Sequence, residues 1–160
     1  MKTAQIGEFG EILNFNRRTA RDLAFKYVFR WIFVGEEAFA EMDKELSETE
    51  FKPVDIEYIR KAVTGVIGNI ENIDAVIEEN SKGWKKSRIS NVCISAMRLA
   101  VYEILYMEDI PRRVSINEAV EIVKTYDNLH RKGSRSSCKL RQPFHMSHSQ
   151  TRESPTRLPL

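Results

Sequence analysis

Between residues 89 and 109 apolar side chains recur at helical spacing and leave little polar face. Ile89, Val92, Cys93, Ala96, Leu99 and Ala100 form one stripe, and Met97, Val101, Ile104 and Leu105 widen it. A surface helix keeps about half its circumference polar, so this pattern predicts a central helix buried on most sides. At about 1.5 Å per residue, a helix over Ile89–Asp109 would span about 30 Å, the width of a small domain. Pro111 should stop it, because the residue before a proline is pushed out of the α region. Ser115 and Glu118 then read as a capping box that opens a further helix, with Ala119, Val120, Ile122 and Val123 as its apolar face.

Upstream, Ala20, Leu23, Ala24, Tyr27, Trp31 and Val34 fall on one stripe and predict a helix over Arg17–Val34, ended by Gly35. Glu36 to Glu50 reads as a short acidic helix with Phe39, Met42 and Leu46 as its apolar points, and Pro53 is placed as a first helical residue. The stretch after it carries Ile56, Ile59, Val63, Val66, Ile70, Ile73 and Ile77 in steps of three and four. That is the spacing of closely packed helices, but too few heptads for a self-associating coiled coil, so it predicts bundle core. Gly65 and Gly68 interrupt it, and each weakens a helix by about 1 kcal/mol relative to Ala, so a break or a close helix crossing is expected there. Residues 81–88, SKGWKKSR, form a basic link around Trp84, which either plugs the core or stacks on a base. Residues 1–16 show no sustained period and read as a weakly ordered leader. No strand pattern emerges, and the fold class is all-α.

Charge changes the picture only when it is divided. Residues 1–127 hold 18 Lys and Arg against 22 Asp and Glu, a balance of −4, whereas residues 128–160 hold 7 against 1, a balance of +6. A nucleic-acid site on the mildly acidic helical part must therefore be a local patch. Two cysteines, Cys93 and Cys138, make no disulfide framework, in keeping with a reducing cytosol. No long apolar run is free of charge and no signal-peptide core is visible, so a soluble cytoplasmic chain without membrane attachment is expected. Catalysis finds no support: there is no Gly-rich phosphate loop, no metal-ligand set and no histidine before residue 130. No metal or cofactor is expected.

The patch that stands out is Arg17, Arg18 and Arg21, three arginines in five residues at a helix start. Arginines scattered on an amphipathic helix are ordinarily solvation. The helix dipole disfavours cations at this end, however, and a partner anion would offset that cost. Phosphate matches the planar donor fork of arginine. Lys85, Lys86 and Arg88 add attraction without reading sequence. Arg98 and Glu103, charges on the apolar central element, read as members of structural ion pairs.

The segment MRLAVYEILYMEDIPRRVSINEAVEIVK resembles the central signature of the NusB family of bacterial transcription-antitermination factors. In that family a Leu/Met-Arg-x-Ala-x-Tyr-Glu-Leu/Ile helix leads through an x-Ile-Pro turn into an Ile-Asn-Glu-Ala helix. A second match, Arg17-Arg18-Thr19-Ala20-Arg21, falls where the family carries its arginine-rich motif, and the two matches bracket residues 17–127. The resemblance implies a helical bundle of two small subdomains around the central helix. It also implies binding to the boxA RNA of rRNA operon leaders as a heterodimer with ribosomal protein uS10 (NusE), within the RNA polymerase antitermination complex. Arg17, Arg18 and Arg21 would then hold phosphates, and Asn69 would lie near the family's RNA path, at the division between two helices. From another class, a protein-interaction module that homodimerises without RNA is the runner-up. A third reading is the accessory domain at the front of certain rRNA cytosine methyltransferases, but 160 residues leave no room for the catalytic domain.

After Asp127 the likeness fails. The family continues into a segment that opens its last helix, but residues 128–160 here contain eight Ser or Thr, three Pro and no apolar period. Such a segment cannot bury enough surface to offset its ordering entropy. The switch has the look of translation in a wrong reading frame, which points to a frameshift replacing the final helix; a natural basic tail is the rival. The coding DNA past codon 127, read in the other two frames, decides between them. A bundle lacking that helix should be destabilised or aggregation-prone, since each large apolar side chain uncovered costs about 1.5–3 kcal/mol.

Overall fold

The computed structural model describes residues 16–83 and 86–130, without the side chains of 86 and 128–130. Six α-helices cover them: α1 Arg17–Val34, α2 Glu37–Glu48, α3 Pro53–Gly68, α4 Ile70–Asn80, α5 Asn91–Tyr106 and α6 Arg112–His130, with a 3₁₀ turn at Lys86–Arg88. No strand occurs among the described residues.

The central helix is α5. Every residue from Val92 to Glu103 is buried, and the helix packs against α1, α3, α4 and α6. It is shorter than the apolar pattern predicts, because its ends are set by backbone chemistry rather than by hydrophobicity. The Ser90 side chain accepts from the Cys93 N–H and starts it, and Met107, at ψ 87°, has already left the α region four residues before Pro111. Cys93 is buried in the core.

The Ser115–Glu118 capping box does not form. The Pro111 carbonyl already accepts from the N–H groups of Val114 (2.9 Å) and Ser115 (3.3 Å), so α6 begins at Arg112. Ser115 is an interior, buried residue of that helix, and the Glu118 carboxylate is left to face α1.

Helix α1 runs between the predicted limits, and Gly35 ends it at φ 61° with its N–H bonded to the Trp31 carbonyl. It is buried on two sides rather than one, because α2 covers one flank while α3 and α5 cover another. Phe25 and Val28 join the expected Ala20, Ala24 and Tyr27 in the core for that reason. Helices α3 and α4 supply Ile59, Val63, Val66, Ile73 and Ile77 from the predicted stripe. The two glycines divide the predicted outcomes between them: Gly68 ends α3, and Gly65 is where α3 crosses closely over Tyr102 of α5.

Two charged contacts fix neighbouring helices. Arg98 of α5 forms a two-pronged pair with Asp74 of α4, both contacts at 2.8 Å. The Tyr126 hydroxyl of α6 donates to the Asp22 carboxylate of α1 at 2.8 Å. The predicted leader contributes Asn16, the N-cap of α1, while residues 1–15 and 131–160 lie outside the described residues. Helix α6 continues through His130, three residues past the predicted domain limit.

Candidate nucleic-acid interface

The arginine corner is built on a capped helix start. The Asn16 side chain accepts from the N–H groups of Arg18 (2.9 Å) and Thr19 (3.1 Å), and the Thr19 hydroxyl accepts from the Asn16 N–H (2.9 Å). Two first-turn amides, those of Arg18 and Thr19, are thereby occupied, which leaves the guanidinium groups as the main donors to an incoming anion. The pattern Asn-x-x-Thr ahead of an apolar run was the available signal for this cap.

Three acids, one from each of three other helices, meet the arginines. Arg21 is 4% exposed, and its Nε donates to Glu103 of α5 at 2.7 Å. The Tyr58 hydroxyl of α3 donates to the same Glu103 oxygen. Arg17 pairs with Asp55 of α3 at 3.3 Å, with its guanidinium 4.4 Å from the Tyr58 ring centre. Arg18, with a side chain 68% exposed, lies 3.4 Å from Glu118 of α6. The same Glu118 oxygen stands 3.9 Å from Arg21.

The anion expected opposite these cations is thus partly supplied within the chain, three carboxylates for three guanidiniums. Burial by itself pulls the Arg21 proton affinity down, but Glu103 above all, then Tyr58 and Glu118, outweigh it and leave it raised. Burial, followed by the Glu103 charge, pushes the Tyr58 phenol well above its ordinary range. Arg21 is therefore a fixed cation behind the surface, whereas Arg17 and Arg18 reach solvent.

The other candidates lie elsewhere. Asn69 caps the end of α3, where its amide donates to the Gly65 carbonyl at 2.8 Å. Asp55 and Tyr58, which meet the arginines, sit near the opposite end of α3, so at about 1.5 Å per residue Asn69 is roughly 16–21 Å further along that helix. The structure does not bring it into the corner. Lys86 lies in the 3₁₀ turn without a described side chain, and Trp84 and Lys85 fall outside the described residues. Asp55, Tyr58 and Glu118 were not legible as site residues, because nothing local in the sequence ties them to residue 17, 18 or 21.

Known proteins share this arrangement of helices. The sequence model of the NusB family matches residues 18–133, six residues beyond the limit set by the motifs. The transcription antitermination protein NusB of Clostridium novyi (strain NT) is 42% identical over 114 residues, covering 69% of this chain and 85% of that protein. Its counterpart in Acetivibrio thermocellus is 42% identical over 110 residues, covering 69% of this chain and 76% of that protein. Among solved structures, T. maritima NusB superposes with a TM-score of 0.64 at 34% identity, covering 71% of this chain and 80% of that one. A crystal structure of antitermination factors NusB and NusE in complex with double-stranded RNA gives 0.59 at 32% identity, covering 69% and 82%. With its central helix, its arginine-led first helix and this extent of shared sequence, the chain belongs to the NusB family.

Proposed function

We propose that this protein is a transcription antitermination factor that binds the boxA RNA of rRNA operon transcripts together with ribosomal protein uS10 (NusE). The pair would join the RNA polymerase antitermination complex and support rRNA synthesis in the cytoplasm, a role of binding rather than turnover. The observation that carries the reading is the grouping of Arg17 and Arg18 at a solvent-facing corner, with Arg21 locked behind them by Glu103. Arg17 and Arg18 present guanidinium forks to phosphate, while Arg21 supplies a fixed positive charge and holds α1 against α5. The capped backbone at Asn16 keeps the first turn rigid, so the forks start from a defined place. Base contacts come from elsewhere on the surface, with Asn69, Lys85 and Lys86 as the remaining candidates.

A gel shift of boxA-like RNA with the full chain, with and without uS10, tests this directly. A shifted complex that tightens when uS10 is added is the expected result. No shift in either lane, from protein that sediments as a homodimer, would instead favour a protein-interaction module.

A further inference from the structure

We propose that Glu118 is an internal stand-in for RNA phosphate, occupying Arg18 in the free protein and giving way when RNA arrives, so that it sets how tightly the corner binds. The inference rests on the RNA-phosphate reading given above and deepens it. The three acids of the corner are graded by burial. The side chain of Glu103 is 0% exposed, that of Asp55 is 7% and that of Glu118 is 22%. Glu103 is clamped by a 2.7 Å contact to Arg21 and by the Tyr58 hydroxyl, and it has nowhere to go. Glu118 differs in each respect. One of its oxygens serves two guanidiniums, at 3.4 and 3.9 Å, both longer than a tight charge-assisted hydrogen bond. Its main partner, Arg18, is the most exposed of the three arginines.

Release of Glu118 therefore asks little of the fold. The carboxylate can swing into water from the surface of α6, and α6 owes its start to the Pro111 carbonyl rather than to Glu118. A phosphate at Arg18 would stand close to this carboxylate, and two anions cannot share one guanidinium without repulsion. RNA binding is then an exchange of one anion for another, and its strength depends on the acid displaced.

The test uses RNA affinity by fluorescence anisotropy across a salt series, with the full chain and a boxA-like single strand. Glu118→Gln keeps the size of the side chain and removes its charge. A partly exposed pair of this kind corresponds to about a two- to fivefold change, and the variant should bind that much more tightly at low salt. Its log–log salt slope should steepen by up to about 0.7, as Arg18 becomes fully available to a phosphate. Glu79→Gln is the control, since Glu79 is an exposed acid on α4, a helix that packs on α5 and α3 and contributes no residue to the corner. It should tighten binding by less than half as much. In the Arg18→Ala background, Glu118→Gln should lose most of its effect.

Equal gains from Glu118→Gln and Glu79→Gln would show a general charge effect and overturn the proposal. So would no gain, or a loss, from Glu118→Gln in a variant whose circular dichroism melt matches the parent. If Arg17→Ala and Arg18→Ala weaken RNA binding while Glu118→Gln does nothing, only this proposal falls. If the arginine variants themselves leave RNA binding unchanged, the function proposed above falls instead.

Discussion

Gly65 and Tyr102 meet where α3 crosses α5, and the crossing leaves no room for even a methyl group. A Cβ at position 65 would stand 2.1 Å from both the ring carbon Cζ and the hydroxyl oxygen of Tyr102. The ring cannot easily yield, because it is buried and stacked on Tyr106 with centres 5.0 Å apart.

Gly65→Ala should therefore destabilise the bundle. Overpacking costs about 1–3 kcal/mol, against about 1 kcal/mol gained in helix propensity. Gly68→Ala is the matched contrast, since nothing lies within 4 Å of its Cβ position, and it should leave stability unchanged or slightly raised. Urea midpoints of the two variants, moving apart, check the prediction; a midpoint for Gly65→Ala at or above that of the parent would contradict it.

The buried pair of Arg21 and Glu103 makes a second prediction. Removing one partner strands a charge in the core, which costs about 3–5 kcal/mol, a large share of the roughly 5–15 kcal/mol that holds a domain together. Glu103→Ala should leave the protein largely unfolded or with a much lowered urea midpoint. Arg21→Met combined with Glu103→Leu should be milder than Glu103→Ala alone. Exposed pairs such as Arg60 with Asp43 should cost at most about 1 kcal/mol when broken.

Four tyrosines predict how stability responds to alkali. Tyr27, Tyr58, Tyr102 and Tyr126 all have their phenol pKa raised, by burial first and then chiefly by nearby acids or a second phenol. A raised folded pKa means that folding favours the protonated phenol. The contribution is thus fully present below the unfolded value of about 10 and is lost as pH rises beyond it. Thermal midpoints should hold from pH 7 to about pH 9 and fall steeply above pH 10, less so in Tyr58→Phe. An alkaline fall of the same size in that variant would remove Tyr58 from the explanation.

Much of the fold was legible because its signals are local. Helix α1 is bounded by a run of arginines and by Gly35, and both ends are where the pattern puts them. Periodicity reports burial, however, and not backbone conformation. Ile89, Met107 and Ile110 pack on the core from outside α5, so the apolar stripe overstates that helix at both ends. The Ser-x-x-Glu pattern at 115–118 was consistent with a cap, but a proline carbonyl upstream had already started the helix.

The candidate site was legible in only one sign of charge. The cations lie within five residues of one another in sequence, whereas the acids that answer them, Asp55, Glu103 and Glu118, come from three distant helices. Likewise Arg98 and Glu103 were readable as paired charges, but Asp74 and Arg21 could be named as their partners only once the helices were assembled.

The central claim is that the corner formed by Arg17 and Arg18 holds RNA phosphates. Its most direct measurement is the salt dependence of boxA-like RNA binding by the Arg17→Ala/Arg18→Ala double variant beside the parent. Each phosphate contact to a single strand contributes about 0.7 to the log–log slope, so loss of two should flatten it by about 1.4, with weaker binding at low salt. A folded double variant with an unchanged slope and unchanged affinity would contradict the claim.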